Sequence, residues 1–309
     1  MNRTYSGIIV PTPTPVLPDE TVDEESYRAH IEFQIRNGVN GIFSCGSLGE
    51  SMALTESERT RAIRIAADQA KGRVKVFAGV MDTSTKRVIE NTQKIEDCGA
   101  DAVVLTPVFY DRHTSQSEII RLFEDVAKTT KLDIVAYNIP SFVVEKINPE
   151  TALELAKMDQ VKAYKDSGAN FNETLKILDT LGEDRGDFAF LQGTPVQWIP
   201  TAFVGADGCV PSMASVYPRM FAAAYQATVD KDYEAMKKFH HMVLMVGKVY
   251  GAAKNGTASL KYAAWKKGFF RYPNIIRPQD GVNEAEAAKI DLLLAQCDEY
   301  LKQEGLLDV

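Results

Sequence analysis

The chain is poor in cysteine and histidine. Its four cysteines, Cys45, Cys98, Cys209 and Cys297, are scattered through 309 residues in apolar surroundings. With no C-x-x-C pair, they predict buried free thiols, not a disulfide framework or a thiolate metal centre. The four histidines, His30, His113, His240 and His241, show no metal-ligand spacing, so no metal is expected. His240 and His241 fall in a helical stretch and are expected at its surface. Basic charge is also short: 35 Lys and Arg stand against 42 Asp and Glu, a formal net charge of -7. That balance argues against nucleic acid or an anionic membrane as a partner. No apolar run reaches the roughly 18 residues that a membrane span needs, and residues 1–15 lack the apolar core of a secretory signal. A cytoplasmic protein is expected.

What the chain does have is alternation. Short apolar runs at 7–10, 41–45, 74–79, 102–105, 134–137, 161–165, 188–192 and 208–210 read as strands, with helical patterns between them. Eight strand–helix units predict an α/β fold, a closed (β/α)8 TIM barrel, over residues 1–228. Helix starts are marked by capping boxes at Thr55–Glu58 and Ser115–Glu118, the second followed by Ile119, Leu122, Phe123 and Val126 on one face. Asn148-Pro149 marks another start. An internal echo, Gly38-Val39-Asn40-Gly41, Gly99-Ala100-Asp101-Ala102 and Gly205-Ala206-Asp207-Gly208, stands where helices end and strands begin. Glycine suits the left-handed helix stop and Asn or Asp the turn, so these junctions read as structural. After about residue 228 the alternation stops, and 230–254, 257–267 and 284–303 read as a C-terminal helical domain over 229–309, expected to serve subunit contact.

In a β/α barrel the chemistry sits at the C-terminal ends of the strands. Strand six ends in Lys165. Alternation places Val161, Ala163 and Lys165 on one face; if small Ala163 faces the axis, the ammonium does too. An enclosed lysine is expected to lose charge readily and become a nucleophile. The plainer reading is a solvated lysine that ends a strand. Tyr137 ends strand five in the same phase and could pass protons to that amine, or could be a core tyrosine with a satisfied hydroxyl. Gly46 to Gly49 bound a loop whose amides could hold a carboxylate, or could merely turn; Glu50 could cap or brace it.

Three motifs carry a resemblance: Gly46-Ser47-Leu48-Gly49-Glu50 against G-S/T-x-G-E, Tyr137-Asn138-Ile139-Pro140 against Y-N-x-P, and Lys165 closing strand six. In that order they make the chain similar to the dihydrodipicolinate synthase / N-acetylneuraminate lyase family of class I aldolases. The resemblance implies a Schiff-base lysine in Lys165, an acid/base in Tyr137, a carboxylate site at the Ser47 and Leu48 amides, and a proton relay through the Ser47 hydroxyl. It implies that Tyr110 reaches across a subunit interface, although the local alignment could place Phe109 there. Gly193 and Val210 match positions lining a pyruvate pocket. No metal or organic cofactor is implied. The implied partners are pyruvate, as the 2-keto acid, and an aldehyde, in a homotetramer.

The departures bear on substrate. Leu48 stands where the synthase subgroup has a second hydroxyl residue. Phe142 stands where that subgroup has an arginine for the second carboxylate, a contact worth about 1.5–3 kcal/mol; Arg112 or Arg121 could substitute. Thr194, Pro195 and Val196 follow Gly193 where sialic-acid lyases place acids, although Ser212 matches a polar residue of that subgroup. Lys165-Asp166-Ser167-Gly168 is closest to the K-D-S-S-G run of 2-keto-3-deoxy sugar acid aldolases and dehydratases, with Asp166 and Ser167 free to cap a helix instead. The expected reaction is cleavage or dehydration of a 2-keto-3-deoxy acid. Behind it stand a condensing synthase of the lysine pathway, an N-acetylneuraminate lyase and a non-catalytic keto-acid-binding regulator.

Overall fold

In the computed structural model, which describes residues 3–110 and 115–307, eight parallel strands close into a barrel in sequence order. They are β1 (Gly7–Pro11), β2 (Gly41–Ser44), β3 (Lys75–Gly79), β4 (Ala102–Leu105), β5 (Asp133–Asn138), β6 (Val161–Asp166), β7 (Ala189–Gln192) and β8 (Gly208–Cys209). β8 closes on β1 through Gly7 opposite Gly208 and Ile8 opposite Cys209. Between the strands lie α1 (Glu24–Arg36), α2 (Glu56–Ala70), α3 (Thr85–Gln93), α4 (Gln116–Ala127), α5 (Pro149–Leu155), α6 (Phe171–Leu181) and α7 (Pro195–Ala202), with α8 (Pro218–Val229) after β8. This is the expected TIM barrel, and no strand end differs from expectation by more than one residue. Then come α9 (Tyr233–Tyr250), α10 (Gly256–Lys266) and α11 (Glu284–Gln303).

Alternation along each strand divides the core in two. Ile9, Phe43, Phe77, Val104, Val135, Tyr137, Ala163, Leu191 and Val210 pack together along the barrel axis. Ile8, Ile42, Val76, Val103, Ile134 and Phe190 face the helices. Arg112 and His113 lie outside the described residues. His240 is half-buried and His241 exposed. The cysteines are free thiols, all but Cys98 buried. Among the described residues, no helix is long and apolar enough to cross a membrane.

The three echoed junctions form one device. Gly38, Gly99 and Gly205 have φ of 87°, 87° and 100°. The residue two positions on, Asn40, Asp101 or Asp207, then latches onto the preceding strand. Each backbone N–H donates to that strand's carbonyl, at Ile8, Val76 and Phe190 respectively, over 2.9 Å. Each side chain accepts from the same residue's amide, at 2.8, 2.8 and 2.7 Å. Asp207 also pairs with half-buried Arg3 and Arg185. Asp207→Ala should therefore take the carboxylate from two half-buried guanidiniums and the acceptor from one amide, costing about 2–3 kcal/mol in urea unfolding; a loss under about 1 kcal/mol would reduce the latch to a surface contact.

Some local expectations need correction. Thr55 caps α2 by accepting from the Glu58 amide, but Glu58 does not reach back; its carboxylate accepts from Val22 N–H at 2.7 Å. Tertiary structure has taken half of that capping box, whereas the Ser115–Glu118 box is complete. The helix expected over 230–254 is shorter, because Asp232 caps its start and the chain turns at Gly251 before Asn255 caps α10.

Candidate active site

The placement of Lys165 depends on a bulge. β5 and β6 pair Ile134 with Val161 but Val135 with Ala163, so Lys162 is an extra residue. Val161 consequently joins the outer cluster, with Tyr164, and not the face of Ala163 as simple alternation predicts. Beyond the bulge the period resumes, and Ala163 faces the axis. Lys165 is only 5% exposed, which excludes the solvated reading. Its Nζ lies 3.8 Å from the Tyr137 ring centroid and 4.9 Å from that of Phe43. No carboxylate among the described residues pairs with it, so aromatic faces stand in for a counter-ion. Tyr137 is its direct cross-strand neighbour, and the phenol oxygen lies 3.3 Å from Ser47 Oγ.

Ser47 is held by the loop after β2. Cys45 and Glu50 bracket that loop with φ of 55° and 53°. Ser51 N–H donates to Gly46 O at 3.3 Å, and Thr14 Oγ1 to Gly49 O at 2.9 Å. A Cβ on Gly46 would stand 2.8 Å from the Phe43 ring, which flanks Lys165. The Leu48 side chain is buried in the outer core. Among the described residues, the amides of Ser47 and Leu48 donate to nothing. Two free N–H groups on one constrained loop are a geometry that can accept a carboxylate.

Asp166 points the other way. Its carboxylate accepts from Asn138 Nδ2 at 2.9 Å, Gly168 N–H at 2.9 Å and Thr174 Oγ1 at 3.0 Å. It ties the strand to α6, whose cap is Asn170, so neither Asp166 nor Ser167 is the helix cap. Gly193 N–H donates to Asp166 O at 2.6 Å, and a Cβ on Gly193 would fall 2.1 Å from Ser167 Oγ. Close approach of two strand ends requires glycine there.

A cavity of about 980 Å³ opens over these strand ends. Ser47 and Tyr137 line it, with an apolar wall of Phe109, Ile139, Phe142 and Val143. Lys165 is not part of the lining; the Tyr137 ring beside it is. Gly46, Leu48, Gly193, Val210 and Ser212 are not in the lining either, Val210 being buried on the barrel axis and Ser212 half-buried at a short 3-10 turn. Tyr110 is 88% exposed, with φ of 78°; within one chain Phe109 meets the cavity instead. Arg121 is exposed on α4 and absent from the lining.

Motif reading missed the opposite wall. Tyr250, Lys254, Asn255, Gln279 and Glu286 come from the C-terminal helices and their connections. Gly256 lets the Tyr250 ring lie against the start of α10, where a Cβ would stand 2.3 Å from it. Burial, and then Tyr137 nearby, push the Tyr250 phenol above its usual range. Glu50 also reaches this side: its carboxylate pairs with fully buried Lys261 of α10 and accepts from Ile276 N–H at 2.9 Å. The only available signal was a Tyr-Gly and an Asn-Gly flanking a helix break.

Comparison with known proteins gives the family and the fold. A model of the dihydrodipicolinate synthetase family matches residues 4–297. A 4-hydroxy-tetrahydrodipicolinate synthase of Syntrophobacter fumaroxidans is 32% identical over 240 residues, 78% of this chain and 81% of that protein. YagE of E. coli K12, a prophage protein of the same family solved with pyruvate, superposes with a TM-score of 0.90 at 26% identity, covering 95% of this chain and 99% of that one. The dihydrodipicolinate synthase of Bacteroides thetaiotaomicron gives a TM-score of 0.89 at 29% identity, covering 96% and 100%.

Proposed function

The chain belongs to the dihydrodipicolinate synthetase family of Schiff-base, pyruvate-dependent lyases, and from that premise we propose that Lys165 forms the imine with pyruvate. The enclosed amine against Tyr137 carries this reading. Neutral Nζ adds to the keto carbon; Tyr137 hands a proton to the departing hydroxyl, and water leaves as the C=N bond forms. Loss of a proton from the pyruvate methyl gives an enamine, whose carbon attacks an aldehyde while the new alkoxide takes a proton. Cleavage is the reverse, with the iminium accepting electrons as the bond between carbons three and four breaks. The Ser47 and Leu48 amides hold the carboxylate, the Ser47 hydroxyl extends the relay, and Gly193 and Val210 border the pyruvate. No cofactor is needed, because the protonated imine is the electron sink. Pyruvate bound to YagE supports the choice of keto acid.

The relatives' names favour condensation with aspartate semialdehyde, and this takes first place over the cleavage expected from the Lys165-Asp166-Ser167-Gly168 run. Phe142 favours the second reading, cleavage or dehydration of a 2-keto-3-deoxy acid: it is 67% exposed beside Ile139 and Val143, and an apolar ring offers the semialdehyde carboxylate nothing. Pyruvate consumption with aspartate semialdehyde, measured beside pyruvate release from 2-keto-3-deoxygluconate, 2-keto-3-deoxyarabonate and N-acetylneuraminate, decides between them. If condensation is the reaction, Phe142→Arg should lower KM for the semialdehyde about tenfold or more; an unchanged KM would remove Phe142 from the acceptor site. Capture of pyruvate without turnover of any aldehyde would mean a binding regulator. Exposure of Tyr110 supports a homotetramer in which it reaches a second copy; monomeric mass by light scattering would contradict that.

A further inference from the structure

We propose that the buried Glu50–Lys261 ion pair is a positioning device: it sets the carboxylate-binding loop from the C-terminal helices, so that affinity for the keto acid depends on two charges that never touch it. The inference rests on the reading of Ser47 and Leu48 as the carboxylate seat.

Glu50 stands two residues after Leu48, at φ 53°, a conformation that a non-glycine residue holds only when its surroundings impose it. The imposing groups are identifiable. Glu50 N–H donates to Ser47 O at 3.1 Å, and Glu50 O accepts from the amides of Ala53 at 2.9 Å and Leu54 at 3.1 Å. One carboxylate oxygen accepts from Ile276 N–H and the other meets Lys261. The two side chains are 3% and 0% exposed, and among the described residues Lys261 has no other acidic partner. Burial lowers the Lys261 pKa, and Glu50 counters it. The same pair joins two parts of the cavity wall: Ser47 lies on the loop it braces, while Thr257 and Ala258 of α10, and Pro278 and Gln279 after Ile276, also line the cavity. Burying a charge pair is seldom the cheapest route to stability, since apolar replacements of both partners are often neutral or better. Geometry is what such a pair adds here.

The test titrates pyruvate in borohydride trapping, read by intact mass, for wild type, Lys261→Met and Glu50→Leu/Lys261→Met. The double variant leaves no lone charge buried, so it should melt above Lys261→Met and lose chiefly the Ile276 N–H bond, yet need at least tenfold more pyruvate than wild type for half-maximal trapping, with the adduct at saturation unchanged. Lys261→Met alone should lose stability as well. A wild-type half-saturation in the folded double variant would overturn the proposal and leave the pair a packing element. Should the double variant not fold, Glu50→Asp keeps the charge but withdraws the carboxylate by one methylene; a raised half-saturation supports the proposal, and an unchanged one overturns it. Failure of wild type to trap pyruvate at all would instead bring down the Schiff-base reading, and the positioning role with it.

Discussion

Lys165→Met should abolish borohydride-trapped pyruvate and lower turnover by at least about 10⁴-fold, some 5 kcal/mol of barrier. Methionine keeps an unbranched side chain, one atom shorter, that packs beside the Phe43 and Tyr137 rings, so the barrel should stay folded. Among the described residues the amine it removes has aromatic faces and no carboxylate for partners, so the melting temperature of the variant should not fall. What disappears is the lone pair. Without it the keto carbon has no nitrogen to join, and no iminium forms to accept electrons from the breaking or forming carbon–carbon bond. The measurements are intact mass after reduction and steady-state pyruvate turnover. Activity above about 1% of wild type in the purified variant would put the nucleophile elsewhere.

Tyr137→Phe should lower kcat by about 10²–10⁴-fold, the usual worth of one positioned proton donor. Phenylalanine retains the ring face 3.8 Å from the amine and loses only the hydroxyl, so the variant isolates proton transfer from packing. Trapping of pyruvate should slow, and should still reach one adduct per chain on long incubation. That separates it from Lys165→Met, where no time suffices. Ser47→Ala should cost less, because its 3.3 Å contact with the phenol is a long one for two hydroxyls. A Tyr137→Phe loss below about tenfold would leave the tyrosine a shelf for the lysine and move the acid/base to another group; Tyr250, also on the cavity and influenced by Tyr137, is the first to examine.

The fold was largely legible because its signals are local. Most strands are short apolar runs buried on both faces, and each Gly-x-Asn/Asp junction encodes its own left-handed turn and latch. Lys165 and Tyr137 could be singled out because a strand's end and a residue's phase are local properties as well. Even there the count was partly fortunate: the bulge at Lys162 moved Val161 to the outer face while leaving Ala163 and Lys165 inward. A bulge is a mismatch between two strands, so neither strand alone declares it. Glu58 shows the same limit, since a distant amide at Val22 competed for its carboxylate and won.

By itself, then, the order of residues determined the eight-stranded barrel, its rim latches, and the strand ends carrying an amine, a phenol and a glycine-bounded loop. Only the tertiary structure decided that Tyr110 faces away while Phe109 meets the cavity, that Asp166 braces a helix, and that α10 supplies the counter-ion of Glu50 and part of the far wall. The physical reason is range. Backbone turns and side-chain phase are set within a few residues, whereas a cavity wall and a buried ion pair are chosen by which distant surfaces exclude water together.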